Sequence, residues 1–499
     1  MTAVDSPAAT PGVVAPRRWL VLGLLATAQL MLVLDVTVVN VALPDIGAGL
    51  RLSRGAVAWV MTVYTLFFGG LMLAGGRLAD RFGARRLALV GLVLFTASSA
   101  LTGTAQSAAA LLVGRALQGA AAAVLSPAAL ATALAVFRGP ARQRALAVWS
   151  GLAGIGSALG VVLGGVLTAS AGWRWVFGIN VPIGAALLVA IPLVTTAPGA
   201  ADDGSGRGLD SPGLDSPGVD SPGDGGSGLD VRGLDAPGAA LVTAGTGAAI
   251  YGLISAGDHG WTSARCLLPL LAALVLWTAF VLVERVTARP LLRVELLRRR
   301  PVVAGMVLML TATGLLVGGF FLGSFALQHG HGYGALRTGL CFLPAAVATV
   351  AGAHTAGQLL TRLDARIVAV VGFALAAVGY GLPALFGGAG FLVAGLTVAA
   401  LGIGAIFVTA FTASLGDAEP AEAGLRSAIV NTFHELGGAA GVAVLSSVAG
   451  TALVVARPAA DAFSGAFTVG AAAALASGLA AALVVPRARR LPTDARPMH

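Results

Sequence analysis

Fourteen stretches of this 499-residue chain are apolar over the length a helix needs to cross a bilayer, and that count leaves few architectures open. A hydrocarbon layer of about 30 Å takes about 20 helical residues, and inside it every backbone N–H and C=O must be satisfied within its own segment. The stretches fall at 19–42, 56–75, 87–105, 108–137, 146–168, 175–195, 239–257, 266–284, 302–327, 338–360, 367–386, 388–413, 431–453 and 463–485. An all-α polytopic membrane protein is expected, with both termini on one face because the count is even. Apolar residues make up 57% of the chain and 70 positions are glycine, outside the range of soluble domains.

All 31 basic residues are arginine. With the N-terminus inside the cell, 24 of them fall in inner segments, two of these in a long linker. Six fall in outer loops (Arg51, Arg54, Arg174, Arg265, Arg337 and Arg457), and Arg115 lies within a span. Positive charge collects on the inner side, so both termini are expected in the cytoplasm of a multi-pass cell-membrane protein. The first apolar run is too long, and too polar where it ends, for a cleaved signal peptide. The net charge of +9 is scattered between apolar runs, which points to lipid headgroups and away from nucleic acid. Cys266 and Cys341 are too far apart to suggest a disulfide framework or a metal site. No nucleotide-binding loop or catalytic triad is present, so neither an enzyme nor an ATP-driven pump is expected, and no cofactor.

An internal duplication is visible. The polar, glycine-broken stretch Gly76–Arg86, expected to be a loop, returns at Gly357–Arg366, with Gly76, Leu78, Arg81, Ala84 and Arg85 matched by Gly357, Leu359, Arg362, Ala365 and Arg366. The offset (357 − 76 = 281) also carries Gly156 onto Gly437 and Gly160 onto Gly441. Two places sharing one offset divide the chain into related halves. The expected divisions are an N-terminal six-helix bundle at 1–197, a linker at 198–237, an inserted helix pair with a basic loop at 238–300, and a C-terminal six-helix bundle at 301–499. The linker repeats GLDSPG-type units and sets eight aspartates against Arg207 and Arg232, a composition of disordered tethers. The inserted pair carries Asp258, His259 and Trp261 in its outer loop, and the basic segment from Glu284 to Arg300 suits a place among headgroups.

Polar residues inside apolar spans mark candidate sites, because a charge at mid-bilayer costs about 2.5–3.5 kcal/mol on insertion scales. In Leu34–Pro44, Asp35 shares a helix face with Ala28, Met31, Val39 and Ala42, while Gln29 and Asn40 lie on another. Arg115 cannot shed its charge and is a candidate partner, with Gln118 and Gly119 beside it. Either residue could also serve only to join helices. Gly156, Gly160 and Gly164 recur every four residues with Gly165 alongside, a stripe for close helix contact. Trp173–Pro182 reads as an interfacial aromatic anchor. Under the 281 offset Asp35 and Arg115 become Leu316 and Leu396, so the charges were not duplicated. The second half instead places Asn431, His434, Glu435, Gly438 and Gly441 on one face of its fifth span, where they could line a cavity or cap a nearby helix end.

These residues resemble the major facilitator superfamily, and within it the fourteen-helix drug:proton antiporters. Gly76–Arg86 resembles the loop between helices 2 and 3, Leu34–Pro44 the helix 1 signature, Arg115–Gly119 the helix 4 motif, Gly156–Gly165 the helix 5 antiporter motif, and Trp173–Pro182 the helix 5–6 connection. Val161 departs from the pattern, which has proline there, and His434-Glu435 stands where many relatives have Arg-Gln.

The resemblance implies two pseudo-symmetric six-helix bundles rocking about a central cavity, with the extra helix pair at the periphery. It implies export of small amphipathic compounds, cationic or neutral, such as antibiotics, in exchange for protons, with the proton gradient as energy source and a monomer in the membrane. Asp35, Arg115, His434 and Glu435 are then the candidates for proton or cation coupling. Gln29, Met31, Asn40, Gln118 and Asn431 are candidates for the substrate cavity, and Gly76, Asp80, Arg81, Gly83, Arg85 and Arg86 for a conformational latch. A metabolite facilitator or symporter on the same fold, or a transport-inactive sensor or scaffold, are the alternatives.

Overall fold

A computed structural model describes residues 15–137, 140–196, 235–287, 295–416, 418, 420–455, 458 and 462–486. Most of the linker expected at 198–237 lies outside them. The first six long helices are α1 (Ala15–Gly49), α2 (Arg54–Phe82), α3 (Ala84–Gly103), α4 (Ala108–Ala135), α5 (Pro140–Ala171) and, after a helical turn at Trp175–Gly178, α6 (Asn180–Thr196). Then follow α7 (Ala236–His259) and α8 (Ala264–Val286), the inserted pair. The last six are α9 (Arg300–Phe325), α10 (Ala335–Leu359), α11 (Ala365–Phe386), α12 (Ala389–Leu415), α13 (Pro420–Ala449) and α14 (Ser464–Val484). Thirteen helices are long and apolar enough to cross a membrane, and α5 adds the apolar stretch Leu159–Ala171. Ser53, Ser107, Asp235, Ser263 and Asp364 cap the starts of α2, α4, α7, α8 and α11, each accepting from a backbone N–H of the first turn.

Three boundaries differ from expectation. The polar stretch after Gly76 is helix as far as Phe82. Gly83 alone breaks it, at φ +89°, a conformation that costs glycine nothing. Hydropathy marks where a helix leaves lipid, whereas arginine, leucine and alanine continue one readily. For the same reason α13 begins at Pro420 and not near 431, so Asn431, His434 and Glu435 lie about three turns in, which removes the helix-end capping role. At its far end α1 continues through Pro44 to Gly49.

In the first bundle α1 lies on α5, and α2 and α3 lie on α4; in the second α9 lies on α13 and α12, while α12 also covers α10 and α11. Bilayer lipid gives apolar helices little reason to associate, so close backbone approach must supply the attraction. The glycine stripe does this twice. A Cβ on Gly160 would fall 1.7 Å from Thr37 Oγ1 and 2.7 Å from Thr37 Cβ, seating α5 on α1. Its counterpart Gly441 would place a Cβ 2.1 Å from the Gly314 carbonyl, seating α13 on α9. Gly156 meets Val33, and Gly437 meets the Leu310 carbonyl. The duplication is thus one packing solution used in both halves.

The bundles meet along α5–α10 and α2–α13. Gly165 admits Ala335 and Leu336, and Gly339 admits the carbonyl of the fully buried Val161. Gln328 donates to the Val41 carbonyl at 2.8 Å. These contacts lie toward the end of the bundle remote from Ala15, where α1 begins, and Val484, where α14 ends; this end is called distal below. The inserted pair is less peripheral than expected: α7 touches both α2 and α13, while α8 leans on α7 and exposes Leu268, Leu271, Leu274 and Val275.

Gly160→Val is expected to abolish the folded, monodisperse protein in detergent, because neither Thr37 nor its backbone can yield the missing space. Gly23→Ala on the same bundle meets nothing within 4 Å and is expected to leave thermal stability equal or raised by up to about 1 kcal/mol. Size-exclusion profiles after a heating series check both.

Candidate functional site

Asp35 sits mid-way along α1 with 1% of its surface exposed, and Arg115 on α4 is fully buried. The two form an ion pair through Arg115 Nη1 and Asp35 Oδ2. Charges in so dry a setting persist only if their remaining lone pairs and protons are met. Arg115 Nε donates to the Val60 carbonyl of α2 at 3.1 Å, and Nη1 also reaches Gln118 Oε1 at 3.2 Å. Asp35 Oδ1 accepts from Gln118 Nε2 at 3.1 Å and from Asn180 Nδ2 at 3.0 Å. Gln118 Nε2 donates in addition to Ser99 Oγ at 2.8 Å, and Thr102 Oγ1 lies 3.3 Å from Gln118 Oε1. The guanidinium is stacked on Tyr64, with Cζ 4.3 Å from the ring centroid, and Phe177 lies beyond at 5.8 Å.

Five helices therefore contribute to one carboxylate and one guanidinium. Two atoms keep spare capacity: Arg115 Nη2 and Tyr64 Oη are buried and form no hydrogen bond among the described residues. Tyr64 is also within electrostatic reach of both Asp35 and Glu435. A proton on Asp35 would cancel the charge that holds Arg115 Nη1, and the guanidinium would then need other acceptors.

The other candidates divide. Gln118 belongs to the charge network and not to an open cavity, and Met31 is buried in the first bundle's core. Asn40 is buried and donates to the Val36 carbonyl, leaving its own Oδ1 unsatisfied, as is Oε1 of half-buried Gln29. Thr313 Oγ1 lies 2.9 Å from His434 Nδ1, and Phe407 packs against the ring at a tilt, centroids 5.4 Å apart, so the imidazole is held inside the second bundle. Glu435 faces the other way: a Cβ on Gly69 of α2 would lie 2.8 Å from its own Cβ. The two residues expected to act as a pair thus serve different neighbours, and Asn431 is half-buried beside them. In the latch segment Asp80, Arg81, Gly83 and Arg86 are exposed, Gly76 and Arg85 half-buried.

Asn180, Ser99, Thr102 and Tyr64 were not singled out by the sequence. Asn180 had a signal, since an amide in an apolar run invites the same question as Asp35, but the neighbouring tryptophans suggested an anchor. Ser99 and Thr102 carried none, because hydroxyls in such helices commonly bond their own preceding turn.

Two related bundles of helices long and apolar enough to cross a membrane, built around a sealed charge network, describe a multi-pass membrane protein. A model of the Major Facilitator Superfamily matches residues 25–442, and the chain belongs to that superfamily. It is 35% identical over 438 residues to the cephamycin export protein CmcT of Amycolatopsis lactamdurans, covering 86% of this chain and 84% of that one. It is 34% identical to the puromycin resistance protein pur8 of Streptomyces alboniger (87% and 82% covered), and 31% to the tetracenomycin C resistance and export protein of Streptomyces glaucescens (86% and 75%). In fold it is similar to an auto-inhibited POT family peptide transporter, with a TM-score of 0.61 at 18% identity, covering 96% of this chain and 99% of that one.

Arg115→Leu is expected to destabilise the protein by about 3–5 kcal/mol, since it strands the Asp35 charge. The double change Asp35→Leu/Arg115→Leu copies what the second half already holds at Leu316 and Leu396, and should restore most of that loss. Thermal unfolding of the single and double variants in one detergent decides between this and independent, additive effects.

Proposed function

We propose that the protein exports small amphipathic compounds, cationic or neutral, in exchange for protons by alternating access. The observation that carries the reading is Asp35, a carboxylate buried in lipid-spanning helices and bonded to Arg115, Gln118 and Asn180. Protonation weakens its hold on Arg115, and through Val60 and Asn180 that change reaches α2 and α6. The relatives' names support the substrate class, because all three concern resistance to or export of antibiotics. Proton entry supplies about 2.3 kcal/mol per 100 mV, so a driving force of about 150 mV sustains a gradient of a few hundredfold per proton.

In this mechanism both termini are cytoplasmic, a single chain suffices, and lipid headgroups meet the exposed arginines. Gly76, Asp80, Arg81, Gly83, Arg85 and Arg86 form the cytoplasmic latch that closes and releases as the bundles rock. Glu435, with Asn431, Gln29 and Asn40, supplies polar contacts to substrate from the two bundles, while His434 steadies the Glu435 helix turn through Thr313.

Asp35→Asn is expected to abolish pH-gradient-driven puromycin export in proteoliposomes and, because it leaves the Arg115 charge without its carboxylate, to lower thermal stability as well; export is therefore read per folded, inserted protein. Export at the parent's rate would remove Asp35 from the mechanism. Glu435→Gln is expected to cut export of permanently cationic compounds about tenfold, equivalent to about 1.4 kcal/mol, and of neutral ones less than about twofold. Equal losses for both classes would assign Glu435 to packing.

A further inference from the structure

Arg54 opens α2 at the distal end, where an arginine ordinarily extends its guanidinium into water. Here it is 4% exposed. Its Nε donates to Asp258 Oδ1 at 2.7 Å, its Nη2 to the Ile254 carbonyl at 2.6 Å and its Nη1 to the Ser446 carbonyl at 3.1 Å. One side chain therefore ties together the first bundle (α2), the inserted pair (α7) and the second bundle (α13).

The surroundings are fitted to this arrangement. A Cβ on Gly257 would lie 2.4 Å from Arg54 Nη1, 2.7 Å from its Cζ and 2.7 Å from Ser447 Cα, so only glycine lets α7, α13 and the guanidinium meet. Ser446 is in the last turn of α13, where the helix dipole favours a cation. Asp258 Oδ2 is turned toward the first turn of α2, with space left by Gly55. The three bonds differ in kind. The bond to Asp258 joins opposite charges, while that to Ser446 joins a charge to a neutral carbonyl and is the weaker.

We propose that Arg54 is the clasp of a distal gate, that Asp258 of the inserted helix aims it, and that Ser446 is the contact broken when the bundles part. The inserted pair is then a working component: α7 stays with α2 through the ion pair and presents the guanidinium to α13 at each closure. This rests on the alternating-access reading, under which the distal ends must separate once per cycle.

Spin labels at Gln106→Cys, in the α3–α4 connection, and Gly390→Cys, in the first turn of α12, both at the distal end, read the gate in nanodiscs, with Cys266 and Cys341 replaced by alanine. A second pair at Ala131→Cys and Leu363→Cys reads the opposite end. Asp258→Ala, at a side chain 42% exposed, is expected to raise the fraction of long distal distances about five- to tenfold over the parent. Gly257→Ala is expected to do the same without changing any charge, by displacing Arg54. If both variants keep the parent's distal distribution while puromycin or a pH step still shifts the parent's, the clasp is wrong and alternating access stands. If neither pair of labels in the parent moves under any substrate or pH condition, alternating access fails and the gate fails with it.

Discussion

An arginine and a carboxylate sealed inside a helix bundle constrain everything around them, because neither can be left alone there. Breaking such a pair costs about 3–5 kcal/mol, so the neighbours must hold both partners in place through any motion. Val60 on α2, Ser99 on α3, Gln118 on α4 and Asn180 on α6 all answer to Asp35 and Arg115. The second bundle shows the same architecture without the charges. Asp35, Arg115 and Gln118 correspond there to Leu316, Leu396 and Ala399, and Ser99 corresponds to Tyr380, whose ring fills the space against Gly319 and Gly470. One half carries a buried ion pair at these positions and the other packs them with apolar and aromatic side chains.

Glycine sets how closely the halves approach. Where Gly165 meets α10 and Gly339 meets α5, the backbones touch with little side chain between them. Within each bundle the same residue type fixes α5 to α1 and α13 to α9 at a separation that no Cβ would allow. The buried Arg426 adds a local tie, bonding the Ser414 carbonyl of α12 and Glu422 on its own helix.

The number of helices, the duplication and the Asp35–Arg115 candidates were legible in the sequence because each depends on residue type alone: apolar length, a repeated spacing, charges where lipid forbids them. Helix ends were not, since α2 and α13 continue well past the apolar runs that announced them. The partners of Asp35 were only partly legible. Gln118 was noted for its nearness to Arg115, but Asn180 is 145 residues from Asp35 and its contact exists only once α6 is placed beside α1. The helical spacing puts Glu435 and His434 on one face, whereas His434 bonds Thr313 on α9 and Glu435 lies against Gly69 on α2. Which neighbour each would meet depended on α2 and α9 arriving from opposite sides, and no pattern in one strand of sequence carries that.

The order of synthesis gives the buried carboxylate a further consequence. Asp35 is made first, its arginine 80 residues later and its asparagine 145 residues later. At about 5–20 residues per second, α1 waits about 4–16 s for the arginine that neutralises its carboxylate and about 7–29 s for the asparagine. During that interval, releasing the helix into lipid as a charged rod costs about 2.5–3.5 kcal/mol. The buried carboxylate thus ties the final seating of α1 to the arrival of α4 and α6, so that the order of helix synthesis becomes part of how the first bundle assembles.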